Sequence, residues 1–461
     1  MRIFIAGGGQ VAAFIARRLI REANELTILE HDEERCRYLE AHLDARIVHG
    51  NAASIATWRK AGIAKAEMLI AVTRSDELNL LASVIVHAEA PAAFKAVRLS
   101  THEFGLWRQL LEEQGVKIDR VIHPESDIVA RILRVLAIPG VSDIRDFAGG
   151  AVKLFGMNVE PSSWIAGKTL AELDRAGPPK NALVGLIFRG YQVIIPHGSE
   201  VLQVGDHIYT VTTRRDLDEF LRFMGIEKQE SLRRVFIVGG GEIGIAVAEV
   251  LEREGVSIKL IEEDERQCEH ASSLLKKTIV IHGDGTDQET LLRENVEGVD
   301  AFVALTRDDD ANLIVSLLAR RLGAKKLVAL VNRLDYLPLA QRLGINTTVS
   351  PRLKAMDAIL ECVRKGGVVS VRTFREEEAE AIELIAQETS GYIGLPLREV
   401  PFPRGVIVGA IARASGEVVV PRGDAVIEAG DRVVFLSLDR CVPELESAFL
   451  SGSNKPTWVR R

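Results

Sequence analysis

Two hydrophobic patterns alternate along this chain. Compact, mainly apolar runs are separated by longer stretches in which apolar residues recur every three or four positions. Residues 2–6, 26–29, 46–49, 68–72, 93–98 and 120–122 form the first set of runs. Between them lie helical spacings such as Val11, Ile15 and Leu19, and the stretch 76–86. Short apolar runs alternating with helix-period segments predict a parallel sheet covered by helices on both faces. A helix over 125–138 comes next, with Pro139-Gly140 as its stop. The pattern then changes to short strands of alternating polarity broken by glycine turns, which read as a smaller α+β domain.

The whole arrangement then recurs. IFIAGGGQVAAFIARRL, from Ile3, returns as VFIVGGGEIGIAVAEVL, from Val235. Gly7, Glu30 and Cys36 correspond to Gly239, Glu262 and Cys268, each 232 positions later. After a one-residue insertion, His49-Gly50-Asn51 matches His282-Gly283-Asp284, Thr73-Arg74 matches Thr306-Arg307, and Asn79 matches Asn312. The smaller part recurs too, with Pro196 and Gly205-Asp206 answered by Pro421 and Gly430-Asp431. Repeats of this kind organise the fold. The expectation is an α/β protein with two Rossmann-like, doubly wound parallel-sheet domains, residues 1–123 and 232–350. Each is followed by a small α+β domain, residues 142–226 and 370–453. Pro139-Gly140 and Gly366-Gly367 are the expected joints.

Composition narrows the function. Charged residues make up 27% and the formal net charge is −7, an acidic balance opposed to general nucleic-acid binding and to adhesion on anionic lipid. Cys36, Cys268, Cys362 and Cys441 are scattered, so reduced thiols in a cytoplasmic protein are expected rather than zinc or disulfides. The N-terminus enters a strand at once and lacks a signal-peptide pattern. No apolar stretch approaches the roughly 18 residues of a membrane span, so membrane association is expected only through a partner.

The candidate chemistry lies at strand ends. Gly7-x-Gly9-x-x-Ala12 and Gly239-x-Gly241-x-x-Gly244 each come after a buried strand and open a helix. The first glycine permits a tight turn, the second lets the backbone approach a pyrophosphate, and the third position packs helix on strand. Glu30 and Glu262 end the second strand of each copy, where a carboxylate accepts hydrogen bonds from ribose hydroxyls and repels a 2′-phosphate. That favours NAD(H), or ATP or ADP, over NADP(H). Asn51-Ala52 and Asp284-Gly285 are expected near the adenine. Arg74, Arg307, Arg98 and Arg333 either reach phosphates or remain solvated strand ends. Ala12 and Asn51 against Gly244 and Asp284 imply that the two sites are not equivalent. Asp308-Asp309-Asp310 reads better as an acid-rich helix start than as a cation site. His49 and His282 read as structural. No nucleophile–base group stands out, and an oxidoreductase needs an acid/base residue beside its nicotinamide.

The order of parts resembles the regulator-of-potassium-conductance (RCK) family, and most closely its tandem, Trk-type members. IAGGGQVAAFIARRL, LIAVTRSDELNLLAS, VALTRDDDANLIVSLLARRLGAKK and VVVPRGDAVIEAGDRVVF carry the match, which runs from Met1 to about residue 450. The resemblance implies binding of NAD(H) and of ATP/ADP at Gly7, Gly8, Gly9, Gln10, Val11, Glu30, Thr73, Arg74 and Arg98. It implies a second site at Gly239, Gly240, Gly241, Glu242, Ile243, Glu262, Asp284 and Thr306. It also implies self-association into a ring beneath an integral membrane potassium-translocating subunit of the TrkH/TrkG kind, on the cytoplasmic face of a bacterial inner membrane. A different potassium channel or a cation/proton antiporter is the alternative partner.

Overall fold

A computed structural model describes the chain except residues 22–23, 101–102, 139, 191, 227–231, 346, 364–367, 375–377 and 451–461. Pro139, Gly366 and Gly367, expected as joints, lie outside the described residues. The chain divides into two compact units. One comprises Met1–Asp127 with Pro351–Lys365, the other Ile128–Ser350 with Gly366–Arg461.

In the first unit, β1 (Arg2–Ala6), β2 (Glu25–Glu30), β3 (Arg46–His49), β4 (Met68–Ala71), β5 (Phe94–Arg98) and β6 (Arg120–Ile122) alternate with α1 (Gln10–Arg21), α2 (Glu33–His42), α3 (Ile55–Ala61), α4 (Asp76–Glu89) and α5 (Phe104–Glu113). The parallel sheet runs in the order β3-β2-β1-β4-β5-β6. The order reverses between β1 and β4, which opens a crevice at their carboxyl ends. Burial of β4 throughout, and of β1 beyond its first residue, explains the nearly unbroken apolar runs there. Helix starts are written locally, with Asp32, Ser54 and Ser75 accepting a backbone N–H as caps.

One sheet face is covered by a helix from far along the chain. Met356, Ile359 and Leu360 of α14 (Pro351–Val363) pack with Ile5, Ile15, Leu19 and Ile70. The second unit shows the reciprocal arrangement. The part of α6 (Pro124–Ala137) that belongs to it places Ile128, Ile132 and Leu136 against Val235, Ile237 and Val328. Each parallel-sheet core is thus completed by a helix from the other half of the sequence. Lys326 closes the carboxyl end of α6, donating to the carbonyls of Val135 and Ile138.

The second sheet has the order β14-β13-β12-β15-β16-β17, the same crossover pattern as the first. Its strands are β12 (Arg234–Val238), β13 (Ser257–Glu262), β14 (Ile279–His282), β15 (Ala301–Ala304), β16 (Leu327–Leu330) and β17 (Thr347–Val349). Its helices include α9 (Glu242–Arg253), α10 (Glu265–Leu274) and α12 (Asp309–Arg321). The same unit holds two antiparallel five-stranded sheets. Leu154, Leu186, Phe188 and Val211 of one pack against Ala381, Ala410, Val434 and Leu436 of the other. The repeated Gly-Asp turns prove structural. Asp206 is fully buried and pairs with Arg189 at 2.9 Å, and buried Asp431 pairs with Arg413.

Candidate nucleotide-binding sites

The two glycine loops are built alike. Gly7 has φ +95°, and a Cβ there would meet the Thr73 backbone at 3.2 Å. Gly239 has φ +106°, with the Leu305 carbonyl group 2.8 Å from a Cβ position. Only glycine meets both constraints. Gly9 and Gly241 differ, since a Cβ on either would find nothing within 4 Å. Open space therefore lies where α1 and α9 present their free N–H groups, as a pyrophosphate requires.

Beside each loop sits one oriented carboxylate. Glu30 Oε2 accepts from Gly8 N at 2.5 Å, and Oε1 accepts from His31 N at 2.8 Å and Asp32 N at 2.9 Å. Glu262 repeats this with Gly240 N at 2.5 Å, Glu263 N at 2.9 Å and Asp264 N at 3.0 Å. Three amide donors fix the carboxylate plane and still leave acceptor capacity for ribose hydroxyls. The donor set suits an adenosine ribose, and the cradle suits its phosphates.

A buried asparagine ties the next strand ends together. Asn79 Oδ1 accepts from Thr73 N at 2.9 Å and Thr73 Oγ1 at 2.8 Å, while its amide donates to the carbonyls of Thr73 and Arg98. Asn312 makes the same four bonds with Thr306 and Leu330. Both side chains are fully buried, so they hold Thr73 and Thr306 in place without facing a ligand. Sequence reasoning noted this pair only as repeated residues.

The remaining candidates divide. Arg74 and Arg307 are exposed and make no ion pair among the described residues. Arg98 instead pairs with Glu125 at 3.2 Å. Its counterpart in the second copy, judged by the Asn312 bond, is Leu330 and not Arg333. Arg333 pairs with Tyr336, donating to its hydroxyl at 2.7 Å. Asn51 and Asp284 are exposed, and each accepts an amide two residues on, from Ala53 and Thr286. Ala52 and Gly285 are buried. Gln10, Val11, Glu242 and Ile243 open the two helices.

The histidines and acids are structural. His49 and His282 bond the carbonyls of His31 and Glu263, each at 2.9 Å. Asp308 caps α12, and Asp309 accepts from the amides of Asn332 and Arg333. Burial first, and then Glu30 or Glu262, pushes the Cys36 and Cys268 thiols up, away from reactive thiolate.

Three further neighbours were not anticipated. Arg35 Nε donates to the Gly8 carbonyl at 2.6 Å, and Gln267 Nε2 donates to the Gly240 carbonyl at the same distance. Arg352, near the start of α14, donates to Gln10 Oε1 on the first loop. Alignment of the two copies could have flagged the first two positions; a partner 342 residues away leaves no local signal.

Paired parallel sheets with glycine loops and oriented acids define a tandem Rossmann-type protein. Residues 3–124 and 235–351 match the TrkA-N domain, and residues 154–225 and 381–449 match the TrkA-C domain. The Trk system potassium uptake protein TrkA of Halomonas elongata is 35% identical over 456 residues, covering 98% of this chain and 99% of that protein. Its namesake from Haemophilus influenzae is 34% identical over 455 residues, covering 97% and 98%. The chain belongs to the TrkA family of potassium uptake proteins. Among solved structures, the GsuK RCK domain superposes with a TM-score of 0.61 at 18% identity, covering 97% of this chain and 94% of that one. The GsuK channel bound to NAD gives 0.59 at 18% identity, covering 97% and 78%. At such identity these speak for the fold. Among the described residues no helix is long and apolar enough to cross a membrane.

Proposed function

We propose that this chain is the nucleotide-sensing regulatory subunit of a Trk-type potassium uptake system, and acts by binding rather than by catalysis. The observation that carries the reading is the repeated cradle. In each copy three amides orient one carboxylate beside the open N-terminus of a helix. Gly7, Gly8, Gly9, Gln10, Val11, Glu30, Thr73 and Arg74 form the first site, with Asn51, Ala52 and Arg98 at its margin. Gly239, Gly240, Gly241, Glu242, Ile243, Glu262, Thr306 and Arg307 form the second, with Asp284 and Gly285 at its margin. NAD(H), ATP and ADP share the adenosine that such a cradle reads and differ in the phosphate groups and appendage it carries. A ligand shifts a conformational equilibrium only by its differential affinity for the two states. The differing phosphates supply that differential, and a ring of these chains transmits it to a membrane potassium-translocating subunit of the TrkH/TrkG kind. The names of the TrkA relatives and the NAD-bound GsuK channel support this reading.

Calorimetric titration with NADH, ATP and ADP tests it. Gly9→Val and Gly241→Val each add a side chain whose first carbon has free space in the fold but stands where phosphates would sit. Each substitution is expected to remove one of two binding events. Full retention of binding in both variants would place the nucleotide elsewhere and overturn the assignment.

A further inference from the structure

The two cradles share their geometry but not their charge. At four matched positions around them, the first copy has Gln10, His31, Arg35 and Asn51, and the second has Glu242, Glu263, Gln267 and Asp284. With histidine neutral, the first set carries one positive charge and the second set three negative ones. Gln10 and Glu242 stand at the phosphate end, on the first helical residue. His31 and Arg35, or Glu263 and Gln267, flank the carboxylate that reads the ribose. The Arg35 guanidinium is held by the Gly8 carbonyl while Glu30 holds the Gly8 amide, so cation and carboxylate flank one glycine. His31 Nδ1 lies 2.7 Å from Glu30 Oε1. In the second copy the neutral amide of Gln267 occupies the place of the guanidinium, and a further carboxylate, Glu263, replaces the histidine.

In folds of this kind an acid at the ribose binds its 2′-hydroxyl, whereas a nearby arginine accommodates a 2′-phosphate; the first copy holds both groups, Glu30 and Arg35. The charge-assisted bond offsets the repulsion expected from Glu30. We propose that the first site admits a 2′-phosphorylated adenine dinucleotide, with Arg35 as its specificity-determining residue, whereas the second site excludes one. This rests on the nucleotide-binding function proposed for the two cradles. It narrows the expectation of uniform discrimination against NADP(H) to the second copy alone.

Titration of the unaltered full chain gives the direct test, with two equivalents of NADH expected per chain and one of NADPH. In the Gly9→Val and Gly241→Val chains, the ratio of the NADPH to the NADH dissociation constant is expected to be roughly tenfold larger at the second site at low salt. Arg35→Gln in the Gly241→Val background should raise that ratio at the first site by a similar factor. Gln267 shows that glutamine preserves the bond to the loop carbonyl, so lost structure is not the cause. Glu263→His with Gln267→Arg should lower the ratio at the second site. Equal ratios at both sites would overturn this inference and leave two adenine-nucleotide sites standing. Binding of neither dinucleotide, nor of ATP or ADP, by the unaltered chain would overturn both.

Discussion

The third position of the glycine fingerprint is where the two copies part company. Ala12 is fully buried, and its methyl is part of the apolar core of the first sheet. At Gly244 an added Cβ would fall 2.0 Å from the Gly239 carbonyl oxygen, with that carbonyl carbon at 3.2 Å. The helices start alike, Ala13 N donating to Gly9 O and Ile245 N to Gly241 O at 2.9 Å. The motif therefore tolerates two closures of the same turn, one with room for a methyl and one without. A fingerprint defines which atoms approach one another, and the surrounding backbone decides how closely.

The copies are alike at Asn79 and Asn312, and the largest effects are expected there. Alanine at either site removes four hydrogen bonds and strands buried polar groups at two strand ends. The expected cost is about 3 kcal/mol in each case. Urea unfolding of the two variants should show losses within about 1 kcal/mol of each other. A large inequality would break the view that the scaffold is duplicated more faithfully than the ligand-facing surface.

The closure itself is tested by crossing the third position. Gly244→Ala forces backbone apart and should cost about 2 kcal/mol while weakening nucleotide binding at the second site. Ala12→Gly removes a buried methyl and a good helix former, for about 1–2 kcal/mol, and leaves the first loop open. Nucleotide affinity at each site separates the outcomes. A Gly244→Ala protein that binds and unfolds normally would show that the second loop relaxes as readily as the first.

Much of this was legible in the sequence, and particular residues show why the rest was not. The strands at 2–6, 46–49 and 120–122 match β1, β3 and β6 residue for residue, because short apolar stretches bounded by polar residues mark strands that alternate with helices. Glu30 and Glu262 were placed by their distance from the loops, since strand length fixes that spacing. The destination of α6 was not legible. Its stripe Ile128, Ile132 and Leu136 fits any apolar sheet face, and only tertiary packing assigns it to the second one. Arg352 was invisible for the same reason, because it reaches the first loop on the exchanged helix α14. Arg98 and Arg333 were both placed near a fifth-strand end, and only the asparagine bonds reveal that Leu330 occupies the position matching Arg98.

Lys326 offers a pH test of the exchanged helix. Its ammonium is buried, and burial lowers its pKa from 10.5 to about 7. A folded pKa below the unfolded one means that the unfolded chain holds more protons between about pH 7 and 10. Stability therefore rises with pH across that window, by at most about 1.4 kcal/mol per unit. Urea midpoints of the unaltered chain and Lys326→Met should converge or cross as pH rises from 7 towards 9. A constant gap would mean that the lysine keeps its proton throughout.

The smallest expected effect concerns Arg98, which the second copy lacks. Its ion pair with Glu125 is partly shielded, yet Arg98 Nε and Glu125 Oε2 find no hydrogen-bond partner among the described residues. One contact at 3.2 Å with unused capacity on both sides is a weak hold for a guanidinium. Glu125→Gln removes the charge that keeps Arg98 at home and frees it to turn towards a bound polyphosphate. The substitution also takes an acid from the first turn of α6, a stability cost of roughly 0.3–1 kcal/mol that has no bearing on the ligand. Affinity is therefore the informative quantity. ATP binding at the first site, measured in the Gly241→Val background, should tighten about threefold relative to ADP, in keeping with an exposed charge contact. At the second site, where Leu330 stands in place of Arg98, the same substitution should change neither affinity. If ATP binding weakens at the first site instead, Glu125 orients Arg98 for the phosphate rather than competing with it, and the pair belongs to the site as a unit.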